Sequence, residues 1–361
     1  MPFYTNPFTT IAIAAILLGS GNLTTAQTPH PQSNESSDSR LEGYDYTFPA
    51  MGTLVSLKAY GTDKASVQEI FQKVEQRVEA LAAILTDYDP TSETRRLSPN
   101  AFNADVHVSP ELWQVLLASD EWHRRTSGAF DSSLGQLTRL WRKYRQAGRV
   151  PPPEQLQQAL SLSGWEQVRL NREAQTVRFL REDLRLDFGA IGKGYIVDAA
   201  YEVLVANQLE CCLVNISGNM RCGTPPPGRG GWRIEIAPIA KGGTPLRRIE
   251  IASCAIATSG DLWQYQEIDG VRRSHILDPQ TGMGVPGPIA ATVLAPTATQ
   301  ADALATAACI LPPQSMEQLV ASLTETAILV ASQRTSTEAI TQKTYGTFPP
   351  DRSIQQGPHH R

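Results

Sequence analysis

The sequence predicts an α+β fold: one large domain of mixed helices and largely antiparallel strands, with room for two subdomains. The chain has 361 residues, 41% of them hydrophobic and 19% charged, which is the composition of a globular protein with a sizeable core. Some segments carry apolar residues at steps of three and four, as helices do, and others alternate or run apolar in short pieces, as strands do. Because these segments lack a regular strand–helix–strand alternation, a doubly wound parallel sheet is excluded.

The first elements in the chain are a strand at residues 53–59 and a helix at 66–85, with Ser66 as N-cap and Glu69 in the capping-box position. A loop of turn-forming residues follows. The further helices are predicted at residues 109–126, 133–144, 154–162, 195–207, 300–311 and 316–322. The further strands are predicted at 168–170, 176–179, 184–188, 211–216, 232–237, 248–251, 255–258, 262–268, 271–277, 291–294 and 327–331, with a hairpin turn at Asp269-Gly270.

The two ends of the chain differ from this folded region, which we place at residues 43–340. Residues 11–18 form an apolar run of eight residues, too short to span a bilayer but typical of a signal peptide that would end at Ala26. No cysteine follows that run, so no lipid attachment site is indicated. The alternative is an unstructured cytoplasmic leader. Residues 27–42 are predicted to be a flexible linker and residues 341–361 a disordered tail.

The charge balance excludes one class of partner. Lys and Arg number 32 against 36 Asp and Glu, giving a formal charge of −4. Such a chain has no surplus of cations to neutralise a phosphate backbone, so we expect no nucleic-acid binding. The five cysteines form no C-x-x-C pair, and we expect them to be small buried thiols. A bridge between Cys222 and Cys254 remains open, since the sequence alone does not show whether the two are close.

A glycine-rich turn is the first candidate site. In LDFGAIGKG (residues 186–194), a predicted strand runs into three glycines and then a helix, and Lys193 lies between the last two glycines. Such a turn lets backbone N–H groups and a helix N-terminus approach a phosphate. It matches neither the Walker A pattern nor G-x-G-x-x-G. The alternative interpretation is a tight strand-to-helix connection with a solvated lysine.

A late helix carries the second candidate. If Thr299 caps this helix, Asp302 and Thr306 stand four residues apart on one face and aim two oxygen ligands at one point. A hard cation such as Mg²⁺ suits these ligands. Thr-x-x-Asp is also an N-capping pattern, however, and Thr306 can bond back to its own helix.

His275 is the third candidate, because it ends a predicted strand and enters a turn, unlike the other histidines of the chain. A buried structural histidine is the alternative. Three shorter segments, at residues 51–53, 87–89 and 127–131, could serve a site or simply form turns.

Taken together, seven segments between about residue 46 and residue 311 resemble the signature blocks of the FAD:protein FMN transferase family, known as the ApbE family. In chain order they read FPAMGT, LTDYDPTSE, TSGAFDSSLG, LDFGAIGKGYIVD, ATSGDL, SHILDPQTG and ADALATA. The resemblance implies a T-fold-like α+β domain that binds FAD with Mg²⁺, transfers the FMN moiety to a Thr or Ser hydroxyl of a target protein, and releases AMP. It also implies export to the periplasm or the outer face of the inner membrane, with a membrane redox-complex subunit as acceptor.

The same resemblance assigns roles to individual positions. It implies that Mg²⁺ is held by the side chains of Asp302 and Thr306 and the carbonyl of Ala190. It implies that FAD is contacted by Met51, Tyr88, Ala129, Phe130, Asp131, Asp187, Lys193 and His275. Lys193 would add positive potential at the phosphates, and either His275 or Asp187 would take the acceptor proton.

Two departures from the family pattern concern turns. Ser217 stands where the family often has glycine, and Gly192 replaces a common alanine. Two other functions would use the same residues: an exported, non-catalytic FAD-binding or storage protein, and an Mg²⁺-dependent hydrolase that converts FAD to FMN and AMP. All three depend on one geometric expectation, that the glycine-rich turn and the Asp302 helix meet in space.

Overall fold

The computed structural model describes residues 41–268, 270–333 and 338–352. The predicted signal peptide, nearly all of the predicted linker and Asp269 of the predicted hairpin turn lie outside the described residues. The helices are α1 (Lys64–Leu85), α2 (Glu93–Asn100), α3 (Pro110–Arg125), α4 (Gly135–Gln146), α5 (Pro153–Ser161), α6 (Gly192–Ala206), α7 (Ala298–Ala308) and α8 (Pro313–Ala321). The strands are β1 (Glu42–Ala50), β2 (Thr53–Gly61), β3 (Val106–His107), β4 (Val168–Asn171), β5 (Thr176–Phe179), β6 (Cys212–Ile216), β7 (Asn219–Cys222), β8 (Trp232–Ile236), β9 (Arg247–Ile251), β10 (Cys254–Gly260), β11 (Tyr265–Ile268), β12 (Val271–Leu277), β13 (Gly284–Pro286), β14 (Ile289–Ala295), β15 (Ala327–Ser332) and β16 (Thr341–Tyr345).

An antiparallel sheet of eight strands, in the order β1-β2-β6-β7-β10-β14-β15-β16, forms the centre of the described fold. Alternate residues of each strand point to opposite faces. Val214 of β6 therefore joins the main core under α1, α6 and α7, whereas the adjacent Leu213 faces the β8–β9 hairpin on the other side. The predicted α+β class, with mostly antiparallel strands in one domain, is confirmed. None of the described helices is long and apolar enough to cross a membrane.

Several element boundaries differ from those that the sequence predicts, each for a local reason. Helix α1 begins two residues before Ser66, because the carboxylate of Asp63 accepts the N–H of Ser66 at 2.7 Å and is the N-cap. Helix α7 is capped by Thr297 rather than Thr299. Helix α6 begins at Gly192 rather than Tyr195, so Lys193 lies in its first turn.

Three larger expectations were wrong. The predicted strand at 184–188 is an irregular segment that makes only a single bridge, between Leu134 and Arg185. The predicted loop after α1 contains helix α2, which the Ser92 hydroxyl caps. The predicted disordered tail is structured from residue 341 to residue 352, where β16 pairs with β15 and buries Tyr345. Its polar sequence hides the strand, since an edge strand has solvent on most of its side chains.

Candidate functional site

A cavity of about 520 Å³ brings together nearly all of the residues that the sequence singles out. The predicted site residues that line it are Met51, Tyr88, Ala129, Asp131, Asp187, Ala190, Lys193, His275, Asp302 and Thr306. Phe130 is the exception: it does not line the cavity, and its aromatic side chain is fully buried in the main core. The volume falls within the range of small-molecule sites.

The cavity exists because the glycine-rich turn and helix α7 meet, as the sequence predicts. Asp198 of α6 accepts the backbone N–H groups of Ala298 and Thr299, each at 2.8 Å, and so fixes the start of α7 against α6. Asp302 then accepts the N–H of Gly194 at 2.9 Å. These bonds link the two helices directly beside the cavity.

The glycines of this turn have a different use from the predicted one. A Cβ at Gly194 would stand 2.2 Å from the carbonyl oxygen of Ala298, so this glycine permits the close packing of α6 on α7. Gly192 is buried in α6 beside Phe188. Of the three glycines only Gly189 lines the cavity. The prediction that all three approach an anionic ligand is therefore wrong for Gly192 and Gly194.

Asp302 and Thr306 place a carboxylate and a hydroxyl in the wall of the cavity. Asp302 is only 2% exposed, and burial raises the pKa of its carboxyl against the opposing effects of Lys193 and the Gly194 N–H. Lys193 Nζ lies 3.7 Å from Asp302 Oδ1 and donates to the carbonyl of Gly189 at 2.9 Å. Thr306 Oγ1 lies 3.1 Å from the hydroxyl of Ser259. The same cavity is lined by Ala190, whose backbone carbonyl is a third oxygen. These groups fit Mg²⁺, which prefers oxygen ligands.

This ligand set is sparse. In the described ranges no group of three or more His, Cys, Asp or Glu side chains is arranged to hold a metal ion. A cation bound by Asp302 and Thr306 would therefore need further oxygens from water and from a bound substrate, as Mg²⁺ commonly does when it bridges phosphates.

His275 is placed to accept a proton. Its Nδ1 lies 3.3 Å from the carbonyl oxygen of Gln264, and because a carbonyl can only accept, Nδ1 carries the hydrogen. Nε2 is then left with a free lone pair. Burial, helped by the positive charges of Arg145 and Lys193, lowers the pKa of His275 to about 4. The ring is therefore neutral at pH 7.

Arg142 connects three other residues at the cavity wall. Its guanidinium bonds the carboxylates of Asp87 and Asp187, the latter at 2.7 Å, and its Cζ lies 4.4 Å from the centre of the Tyr88 ring. The Tyr88 side chain is 75% exposed. Asp187 also accepts the N–H of Gly189 through its other oxygen, at 2.8 Å. With both oxygens engaged, Asp187 is suited to hold Arg142 and the turn in place, and His275 is the better proton acceptor of the two.

Sequence reasoning missed the contribution of α4. Arg142 and Arg145 line the cavity from this helix together with Thr138 and Trp141, and Trp141 Nε1 donates to the carbonyl of Gly282 at 2.7 Å. The spacing of Thr138, Arg142 and Arg145 on one helical face was the available signal. On a helix with several other basic residues, however, that face is not distinguishable from a solvated one.

Two tight turns form the rim of the cavity. Met51-Gly52 joins β1 to β2 and Ser217-Gly218 joins β6 to β7, and all four residues have positive φ, with 51° at both Met51 and Ser217. The hydroxyls of Thr53 and Ser217 are hydrogen-bonded. Ser217 thus adopts a backbone conformation that favours glycine, and its side chain is tied to the neighbouring turn.

A larger groove of about 830 Å³ lies elsewhere, between α8 and the ends of β9 and β16. Three glutamates, Glu250, Glu317 and Glu325, line it, and none of the predicted site residues does. The smaller cavity is therefore the candidate site, because it holds the titratable and oxygen-bearing groups that chemistry requires.

Comparison with known proteins identifies the family of this chain. The profile of the ApbE family matches residues 51–330, so the chain belongs to the ApbE family. It is 30% identical over 292 residues to a protein from Treponema pallidum (strain Nichols) named FAD:protein FMN transferase, covering 75% of this chain and 80% of the relative. A protein of the same name from Escherichia coli (strain K12) is 27% identical over 307 residues, covering 81% and 84%. The shared name of these relatives is that of a transferase.

Solved structures give the same result. The chain superposes on the ApbE protein of Thermotoga maritima with a TM-score of 0.74 and 27% identity, covering 83% of this chain and 97% of the other. For the flavin transferase ApbE of Vibrio cholerae the TM-score is 0.75 at 25% identity, with 85% and 98% covered.

Proposed function

We propose that this chain transfers the FMN moiety of FAD to a serine or threonine hydroxyl of a target protein, with Mg²⁺ bound and with release of AMP. The observation that carries the proposal is the convergence of a buried carboxylate (Asp302), a hydroxyl (Thr306), a cation (Lys193) and a neutral imidazole (His275) on one cavity. The name shared by the curated relatives supports FAD as donor and a protein as acceptor.

The reaction exchanges a phosphoanhydride bond for a phosphoester bond. The acceptor oxygen attacks the phosphorus on the FMN side of the FAD diphosphate, the bridging P–O bond breaks, and AMP leaves with the bridging oxygen. The hydroxyl proton passes to Nε2 of His275, which is unprotonated at pH 7. Phosphoryl transfer needs little covalent chemistry from a protein, so positioning and charge neutralisation dominate.

Charged groups on two helices of the cavity wall can neutralise the phosphates of FAD. Lys193 lies in the first turn of α6, where the helix dipole adds to its positive charge, and Arg145 lines the cavity from α4. Asp302, Thr306 and the Ala190 carbonyl would hold Mg²⁺, which supplies Lewis-acid neutralisation of the phosphate oxygens when bound. Tyr88, held by Arg142 on one side, offers its exposed ring for stacking on an aromatic part of FAD.

The cell location is part of the proposal. We infer export of the chain to the periplasm, free or attached to the outer face of the inner membrane, from the apolar run of residues 11–18. The acceptor would then be an exported subunit of a membrane redox complex. Fractionation of cells that express the full chain, followed by mass spectrometry of its N-terminus, tests cleavage after Ala26.

The test of activity is an in-gel assay. The protein is incubated with FAD, MgCl₂ and a flavin-accepting domain, then denatured, and the target band is examined for flavin fluorescence. Asp302→Ala should reduce labelling at least 100-fold, because it removes the sole carboxylate of the proposed ligand set. Asp105→Ala is the matched control, since this carboxylate forms an exposed ion pair with Arg178 outside the cavity.

Each outcome has one interpretation. Fluorescence that is lost with EDTA, with Asp302→Ala and with a Ser/Thr→Ala acceptor supports the proposal. Free FMN without a labelled target indicates a hydrolase, and unchanged FAD indicates a storage protein. Full labelling by the Asp302→Ala variant would refute the metal assignment.

A further inference from the structure

Cys222 and Cys254 face each other across two neighbouring strands of the central sheet. They are direct partners in the antiparallel register of β7 and β10. Gly223, the residue after Cys222, donates its N–H to the Cys212 carbonyl of β6 at 2.8 Å, and the backbone groups of successive strand residues point to opposite sides. The backbone groups of Cys222 therefore point to β10, so Cys222 and Cys254 form a hydrogen-bonded pair, in which Cα atoms lie about 5.5 Å apart. That separation is within the range that a disulfide spans.

The two thiols interact in the reduced protein. Hydrogen bonding from Cys254, as the largest cause, lowers the pKa of Cys222, and the same contact with Cys222, together with burial, raises the pKa of Cys254. Cys222 Sγ also lies 3.4 Å from the Cys254 carbonyl oxygen. The contact therefore keeps Cys222 closer to the thiolate, which is the form that attacks a disulfide.

Solvent and small molecules can reach Cys254 but not Cys222. Cys222 is 2% exposed, whereas Cys254 is partly exposed and lines the 830 Å³ groove that has no predicted site residue. A small molecule that enters this groove reaches Cys254 first, with Cys222 directly behind it. The three other described cysteines are buried: Cys211 bonds the carbonyl of Pro225, Cys309 bonds that of Ala305 inside its own helix, and Cys212 is fully enclosed in the main core.

We propose that Cys222 and Cys254 form a reversible cross-strand disulfide, with a low-molecular-weight disulfide as oxidant. Cys254, the thiol that the groove exposes, attacks one sulfur of that reagent and gives up its proton, and the S–S bond of the reagent breaks to release a first thiol that carries this proton. Cys222 then attacks the sulfur of Cys254 and releases the second thiol with its own proton. The two cysteine sulfurs lose two electrons and the reagent gains them. The bond ties together β7 and β10, whose opposite ends carry the cavity residues Asn219 and Ser259.

The test uses the full chain, reduced and then equilibrated in mixtures of oxidised and reduced glutathione. Free thiols are alkylated and counted by mass spectrometry, and tryptic peptides are mapped without reduction. Wild type should lose two of its five alkylatable thiols and yield a peptide pair joining Cys222 to Cys254. The melting temperature of the oxidised form should rise by about 5 °C, as expected for closing a loop of about 30 residues.

Variants separate this pair from the other cysteines. Cys222→Ser should trap glutathione on Cys254 as a mixed disulfide that is not resolved. Cys211→Ser is the matched control, because serine can keep the bond to Pro225 and the variant should still lose two thiols. The wild-type peptide map needs no variant to fold. Five alkylated thiols in wild type at every glutathione ratio, or a bridge joining any other pair, would overturn the proposal whether or not flavin transfer is observed.

Discussion

His275 shows how a single side chain links the site to pH. Its pKa is lowered to about 4 from an ordinary value near 6.5, because its ring is desolvated and the positive charges of Arg145 and Lys193 oppose protonation. In the unfolded chain the imidazole binds a proton below about pH 6.5, whereas in the folded protein it stays neutral until about pH 4. The contribution of this group to stability is therefore present above pH 6.5 and lost as the pH falls through that window.

We predict that His275→Gln makes the free energy of unfolding less dependent on pH between pH 6.5 and pH 4. Between pH 6.5 and pH 4 wild type should lose up to about 1 kcal/mol more per pH unit than the variant, since only wild type gains a proton on unfolding. Urea unfolding at pH 5 and pH 7 measures this difference. Buried acids such as Asp131 and Asp302 titrate in both proteins and cancel in the comparison. Identical slopes for the two proteins would contradict the assignment of a neutral ring.

At the same scale, sequence reasoning found residues whose chemistry depends on local spacing and missed those that depend on distant segments. Asp302 and Thr306 are one helical turn apart, so their shared face follows from the sequence. Arg142 acquires its role only because α4 lies against the Asp87 and Asp187 turns, which are far from it in the chain. The sequence also did not show that the Phe130 side chain packs in the main core while its neighbours Ala129 and Asp131 line the cavity.

At the scale of secondary structure, the site depends on the packing of helix α6 against helix α7. The carboxylate of Asp198 accepts N–H groups at the start of α7, and one turn later Asp302 accepts the N–H of Gly194. The sequence predicted both helices but not the packing role of Gly194. That role comes from the Ala298 carbonyl oxygen, which would lie 2.2 Å from a Cβ at Gly194 and belongs to a segment about 100 residues away in the chain.

Gly194→Ala tests this packing. The new Cβ would meet the Ala298 carbonyl oxygen, and α7 cannot move away without breaking its bonds to Asp198. We expect a loss of about 1–3 kcal/mol in the free energy of unfolding, despite the better helix propensity of alanine, and weaker flavin labelling through displacement of Asp302. Gly192→Ala is the control: its Cβ would lie 3.5 Å from that of Phe188, an ordinary contact. Equal stability of the two variants, measured by chemical unfolding, would show that the α6–α7 contact is not tight.

On the scale of the whole molecule, the central sheet ends differently at its two edges. At one edge β1 pairs along its whole length with β2, and its Phe48 is buried in the core. At the other, the short β16 covers β15, whose Ile328 and Leu329 are buried. The sequence predicted the interior strands β2, β6, β10, β14 and β15, which are marked by apolar residues, but it missed the short interior strand β7. It also missed both edge strands, because their outer side chains are polar.

Truncation of the chain measures what β16 contributes. A protein ending at residue 340 loses the burial of Tyr345 and uncovers the backbone edge of β15. We expect its melting temperature to fall by about 5 °C or more, since burial of one such side chain is worth roughly 2 kcal/mol, and we expect it to aggregate through the uncovered edge. A protein ending at residue 352 keeps β16 and the backbone bond from Arg352 to Arg248, so it should melt and elute as the full chain does. Scanning calorimetry and size-exclusion chromatography compare the three. If the chain ending at 340 matched the others in both measurements, β16 would be a covering strand without a stabilising role.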